Sequence, residues 1–74
     1  MTRATAIKAL KNANIRCREL RDGTIERYCA DSEYSVLYKW ALAHFGDSHV
    51  YPFYSPCDWR IIIELERGVI VFYH

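Results

Sequence analysis

The chain has 74 residues, which is enough for one domain and close to the lower size limit for a fold held by a single hydrophobic core. Its hydrophobic share of 51% and aromatic share of 15% exclude a disordered composition. No apolar stretch approaches the roughly 20 residues that cross a bilayer, and the amino-terminal segment lacks the apolar centre of a secretory signal. We therefore expect one folded domain over residues 1–74, located in the cytoplasm.

Charge is unevenly distributed along the chain, although the net charge is only +1. Residues 1–21 contain six basic residues and one acidic residue, a balance of +5, whereas residues 22–74 contain four basic and eight acidic residues, a balance of −4. Such asymmetry is typical of a contact with nucleic acid or with an acidic protein, and it equally suits charges that balance within the fold. Both interpretations stay open at this point.

Cysteines and histidines are the residues to inspect for metal or redox chemistry. Cys17, Cys29 and Cys57 are odd in number and irregularly spaced, which argues against a disulfide framework. No C-x-x-C pair is present, and the three histidines add no complete set of zinc ligands. We expect reduced thiols, no metal and no cofactor.

The first predicted element is a helix over residues 3–14, which Thr2 caps. Its apolar residues recur at helical spacing, at Ala6, Ile7, Leu10 and Ala13. A hairpin should follow, because Asp22-Gly23 is a strong turn signal. A three-residue turn over 21–23 places Arg18 opposite Glu26 and is favoured, since a two-residue turn would oppose like charges.

That register divides the hairpin between two faces of a sheet. The expected core face carries Ile15, Cys17, Ile25 and Cys29, so that Cys17 and Cys29 are ordinary buried thiols. The opposite face carries Arg16, Arg18, Glu26 and Tyr28.

A second helix is expected from about residue 31 to Phe45, with Gly46 ending it. Its predicted apolar face consists of Val36, Leu37, Trp40, Ala41 and His44. Residues 48–58 follow, with both prolines and three aromatic residues. Because Pro52 argues against a central strand, we expect a loop or an extra edge strand near residues 51–54.

The segment RIIIELERGVIVFYH, residues 60–74, contains two strand-like runs that are apolar at consecutive positions. A three-residue turn at 66–68 would pair Leu65 with Val69 and place a first set of residues on the core face. That set is Trp59, Ile61, Ile63, Leu65, Val69, Val71 and Tyr73. The opposite face would carry Arg60, Ile62, Glu64, Ile70, Phe72 and His74, including three apolar side chains that need cover.

These elements predict an α+β fold with two helices packed on one face of a largely antiparallel four-stranded sheet, in the order α-β-β-α-β-β, with a possible extra edge strand. Two helices on one face leave the other face uncovered. The apolar side chains there would then be exposed, unless the segment 51–54 or the first helix folds across them.

Enzymatic function is not expected. The chain has no G-x-S-x-G, P-loop or H-E-x-x-H motif, and its three glycines lie at turn or helix-end positions. A chain of this length rarely encloses a substrate-sized pocket. We therefore expect no small-molecule substrate.

The favoured hypothesis is a protein-interaction module. Phe72 would anchor the contact, flanked by Ile62 and Ile70 and rimmed by Arg60 and Glu64, since protein interfaces combine a dry apolar centre with a polar rim. The partner would be a second copy, forming a homodimer, or a larger protein that the chain blocks. In length and in its lack of catalytic motifs the chain is similar to small accessory proteins of bacteriophages, including anti-CRISPR-type inhibitors, by analogy of size and style.

The alternative hypothesis is a nucleic-acid-binding module. Arg16, Arg18 and Tyr28 on an open sheet face would meet phosphates and stack on bases, with Lys8 and Lys11 adding positive charge. The absence of an RNP-type motif stands against this hypothesis, as do the glutamates expected on the same face.

Overall fold

A computed structural model describes the whole chain, Met1–His74. The fold is α+β, with two helices and one five-stranded sheet in the strand order β1-β2-β5-β4-β3. Only β2 and β5 run parallel; the other neighbours are antiparallel. The elements are α1, Arg3–Asn12; β1, Arg18–Glu19; β2, Ile25–Tyr28; α2, Tyr34–Phe45; β3, Val50–Ser55; β4, Asp58–Glu64; and β5, Val69–Tyr73.

The extra edge strand considered near residues 51–54 is present as β3, so the sheet has five strands where four were expected. Pro52 lies within it, paired with Ile61 of β4. An edge strand tolerates this proline because the missing N–H can lie on the unpaired side. Neither helix is both long enough and apolar enough to cross a bilayer.

One end of each helix lies at the residue that the sequence predicts, Thr2 for the start of α1 and Gly46 for the end of α2. The Thr2 side chain accepts a hydrogen bond from the Thr5 amide at 3.2 Å and caps α1. That helix stops two residues earlier than expected, because Asn14 adopts a left-handed φ of 58°. Gly46, with φ 88°, follows α2 and donates its amide to the Leu42 carbonyl at 3.0 Å.

The helices pack on a single face of the sheet. Ala6 and Ala41 are fully buried, and such small side chains let each helix approach the strands closely. The core is one cluster of Ala6, Leu10, Ile25, Cys29, Leu37, Ala41, Phe45, Val50, Trp59, Ile61, Ile63, Leu65, Ile70 and Phe72.

The buried face of α2 differs from the predicted one. Phe45 is buried, whereas Val36 is 68% exposed and His44 is also exposed. The His44 ring lies against the Trp40 ring and shares a hydrogen bond with the Trp40 carbonyl. The buried residues Leu37, Ala41 and Phe45 recur at i, i+4 spacing, as one face of a helix does. This face is rotated about the helix axis relative to the predicted one.

The first hairpin has the predicted register. Arg18 lies opposite Glu26, and the Leu20 amide donates to the Thr24 carbonyl at 2.8 Å across a three-residue turn. Gly23 occupies the turn position with φ 93°, a conformation that favours glycine. The prediction that Cys29 points into the core is also confirmed.

The predicted register of the last hairpin is wrong by one residue. Ile63 pairs with Ile70 and Ile61 with Phe72, whereas the prediction paired them with Val71 and Tyr73. The turn contains two residues, 66 and 67, because the Leu65 amide donates to the Gly68 carbonyl at 3.1 Å. A shift of one residue moves every side chain of β5 to the other face.

This shift places Ile70 and Phe72 in the core, both with no exposed surface. They were expected on the uncovered face, where Val71 and Tyr73 lie instead. The observed register buries the larger apolar side chains and avoids burying the Tyr73 hydroxyl in the core, and both effects favour it.

Candidate interaction surface

The sheet face opposite the helices, called the open face below, carries an apolar patch. On β4 and β5, Ile62 pairs with Val71, and both side chains are half-buried. The pairing of β3 with β4 places Tyr51 beside Ile62 and Phe53 beside Arg60. The apolar patch consists of Ile62, Val71, Tyr51, Phe53, Tyr28 and Tyr73.

Aromatic residues dominate the exposed part of this patch. Tyr51 is 47% exposed and Phe53 is 54% exposed, both on the edge strand β3. Tyr28, on the other side of the patch, is 69% exposed, and its ring centroid lies 4.1 Å from that of Tyr73. Large exposed aromatics around a half-buried aliphatic centre are typical of a contact surface.

One carboxylate is built into the open face between β1 and β5. Glu26 is only 9% exposed, and it accepts hydrogen bonds from Arg18 Nε at 3.0 Å and from Tyr73 Oη at 2.6 Å. The Tyr73 hydroxyl, and after it the Arg18 guanidinium, lowers the pKa of Glu26. The same hydrogen bond raises the pKa of the Tyr73 hydroxyl. Glu26 is therefore ionised at neutral pH and satisfied within the chain.

This cluster predicts a pH dependence of stability. Because the folded-state pKa of Glu26 lies below its ordinary value of 4.5, its contribution is complete above that pH and is lost as the pH falls through the folded-state pKa. Tyr73→Phe removes the leading cause of the shift, so its free energy of unfolding should depend less on pH in this acid range than that of the wild type. Urea denaturation from neutral pH to pH 3 measures this.

Tyr51→Phe is the matched control, since the Tyr51 hydroxyl bonds only to the Ser48 carbonyl, at 3.3 Å. Its acid slope should equal that of the wild type. If the Tyr73→Phe variant kept the wild-type pH dependence of its free energy of unfolding, the Tyr73 hydroxyl would not be the group that lowers the pKa of Glu26.

Arg60 and Glu64 have opposite charges and lie on the open face of β4, two residues before and two residues after Ile62. Arg60 Nε is 3.5 Å from Asp58 Oδ2, and Glu64 Oε1 is 3.9 Å from His49 Nδ1. Both ion pairs have long separations and partly exposed side chains, so they contribute little to the stability of the chain. Arg60 and Glu64 can therefore also form ion pairs with a partner.

The structure brings together some of the residues predicted for protein binding. Ile62, Arg60 and Glu64 share the open face, as expected. Ile70 and Phe72 are in the core and cannot contact a partner. Val71 and Tyr73 were missed because the predicted register of β5 was wrong. Tyr51 and Phe53 were not among the predicted binding residues, although the aromatic residues of this segment suit either a contact surface or a cover for the core.

The residues predicted for nucleic-acid binding do not form one surface. Arg18 and Tyr28 lie on the open face, whereas Lys8 and Lys11 belong to α1 on the opposite side of the sheet. Arg16 is exposed just before β1. Since Arg18 is paired with Glu26, its charge is already balanced.

The three cysteines are free, in three different environments. Burial raises the pKa of the Cys17 thiol to about 11 and also raises the pKa of the Cys29 thiol, so both stay protonated at neutral pH. Cys57 is exposed in the turn between β3 and β4. No group of three or more His, Cys, Asp or Glu side chains is arranged to hold a metal ion.

Known proteins offer no functional assignment by similarity. The chemistry of the open face is therefore the basis for a functional proposal. The chain matches no protein-family model, and no curated protein or solved structure is significantly similar to it.

Proposed function

We propose that the chain is a non-enzymatic protein-interaction module that binds a protein through the open face. One observation carries this proposal: the sheet has helices on one face only, and its other face presents the apolar patch to solvent. The partner is either a second copy of the chain or a larger protein whose surface the chain blocks.

The anatomy of the open face supports a protein partner. Ile62 and Val71 form an aliphatic centre, and the exposed rings of Tyr51 and Phe53 flank it. Aromatic anchors around a desolvated centre supply most of the binding energy in protein interfaces. Phe53, and not the buried Phe72, is the anchor of the contact in this proposal, because it is the exposed phenylalanine of the sheet.

The charges of the open face also favour a protein over nucleic acid. Arg18 and Arg60 are the basic residues of the strands there, and Glu26, Asp58 and Glu64 offset them. A phosphate backbone would approach these carboxylates at a cost that a basic groove avoids. A protein surface with mixed charges meets no such penalty.

Photo-crosslinking from single positions tests the proposal. A benzophenone amino acid at position 53 should give a defined protein adduct in cells that express the chain, because Phe53 lies in the apolar patch. Position 54 is the matched control, since Tyr54 is adjacent on the same strand, is 70% exposed and points to the opposite face. It should give little or no adduct.

The outcomes separate the candidate partners. An adduct of twice the chain mass identifies a second copy, and an adduct with a different protein identifies a larger partner. The proposal fails if position 53 yields no protein adduct above the level at position 54. It also fails if position 53 crosslinks to nucleic acid instead.

A further inference from the structure

We infer that the open face binds a second copy of the chain, face to face, with β4 of one copy crossing antiparallel over β4 of the other. The inference rests on the proposed function and adds the partner and its orientation. It follows from the order of charges along β4.

The open face of β4 carries Asp58, Arg60, Ile62 and Glu64, and the basic Arg60 and the acidic Glu64 lie at equal distances from Ile62. A two-fold axis that lies between the two sheets, perpendicular to β4 and level with Ile62, reverses the direction of β4 in the second copy. Arg60 of each copy then lies over Glu64 of the other. One strand thus supplies two symmetric ion pairs on either side of an apolar centre.

The alternative two-fold axis runs parallel to β4. It would place Arg60 over its own copy and Glu64 over its own copy, so that like charges oppose each other at both ends. The antiparallel arrangement avoids this repulsion. Its central row is Glu26, Val71, Ile62 and Tyr51, in which each residue meets its own copy, and the charge of each Glu26 is neutralised by Arg18 of the same chain.

The size of the open face sets the strength of the dimer. Five strands about 4.8 Å apart and about five residues long give a face of roughly 400 Å². That is smaller than the roughly 800 Å² per partner of a standard stable interface, so the dimer should be weak and concentration-dependent. At such a size, two ion pairs decide orientation rather than supply most of the affinity.

Charge reversal tests the orientation. Arg60→Glu and Glu64→Arg each replace two attractive contacts with two repulsive ones, and each should weaken homodimerisation by about tenfold or more in sedimentation equilibrium at low salt. An equimolar mixture of the two variants should recover a dimer within about threefold of the wild-type dissociation constant, because each reversed site then meets an opposite charge. Lys39→Glu, on the exposed side of α2, is the matched control and should leave the dimer unchanged.

Two results would overturn the inference. One is a wild-type chain that stays monomeric at every concentration; the other is a mixture that associates no better than either variant alone. Neither result removes the proposed function, which still stands if position 53 crosslinks to a different protein and falls if position 53 yields no protein adduct above the level at position 54. Circular dichroism of each variant confirms that a loss of association is not a loss of folding.

Discussion

Phe72→Ala is expected to lower the free energy of unfolding by about 3–5 kcal/mol. Phe72 has no exposed surface, lies opposite Ile61 and places its ring 6.2 Å from that of Trp40. Truncation would leave a cavity between the sheet and α2, which the surrounding core cannot fill. Because native domains have only about 5–15 kcal/mol of stability, this loss removes a large share of it. Urea denaturation followed by circular dichroism measures the loss.

Phe53→Ala is the matched control, because the chemical change is identical and the site is 54% exposed on the open face. Its loss should stay below about 1 kcal/mol. The comparison tests the face assignment of β5 directly: if the two variants lost equal stability, or if Phe72→Ala were the milder one, the observed register would be contradicted.

Trp59→Ala is expected to lower the free energy of unfolding by a similar amount, about 3–5 kcal/mol. Trp59 is 3% exposed, packs edge-on against the Tyr34 ring at 4.9 Å and donates its indole N–H to Asp31 Oδ1 at 3.1 Å. The side chain thereby joins β4 to Asp31, just before α2, and to Tyr34, its first residue. Removing it leaves a cavity and breaks that connection.

Trp59→Phe separates packing from hydrogen bonding. It keeps most of the ring volume and loses the N–H donor, while the exposed Asp31 carboxylate stays hydrated. Its loss should be less than half that of Trp59→Ala, because packing carries most of the effect. Equal losses in the two variants would mean that the hydrogen bond to Asp31, and not the packing, stabilises this end of the sheet.

Local signals predicted much of this fold. Thr2 and Gly46 marked helix ends because a hydroxyl that caps amides and a residue that tolerates positive φ act within a few positions of the chain. The pairing of Arg18 with Glu26 followed from charge alone, since the competing register opposed like charges.

The register of the last hairpin could not be settled in the same way. Glu66, Arg67 and Gly68 suit a two-residue turn or a three-residue turn, and Gly68 adopts a positive φ that either turn accommodates. Residues on both sides of the turn are apolar at consecutive positions, so the hydrophobic pattern did not choose between faces. The choice depends on how β5 packs beneath α2, which is a tertiary effect.

The buried face of α2 was ambiguous for a related reason. The helix is apolar around most of its circumference, so that two overlapping stripes both fit a core-facing pattern. Burial of Leu37, Ala41 and Phe45 in the core selects the stripe that leaves Val36 exposed.

A dilution series followed by NMR tests most directly whether the open face is the contact surface between copies of the chain. Amide resonances should be recorded from about 1 mM to about 10 µM, a range that spans weak association. Resonances of Tyr51, Phe53, Ile62 and Val71 should shift with concentration, while that of Val36 on α2 stays constant. Shifts confined to the helices, or no shifts at any residue, would contradict self-association through this face.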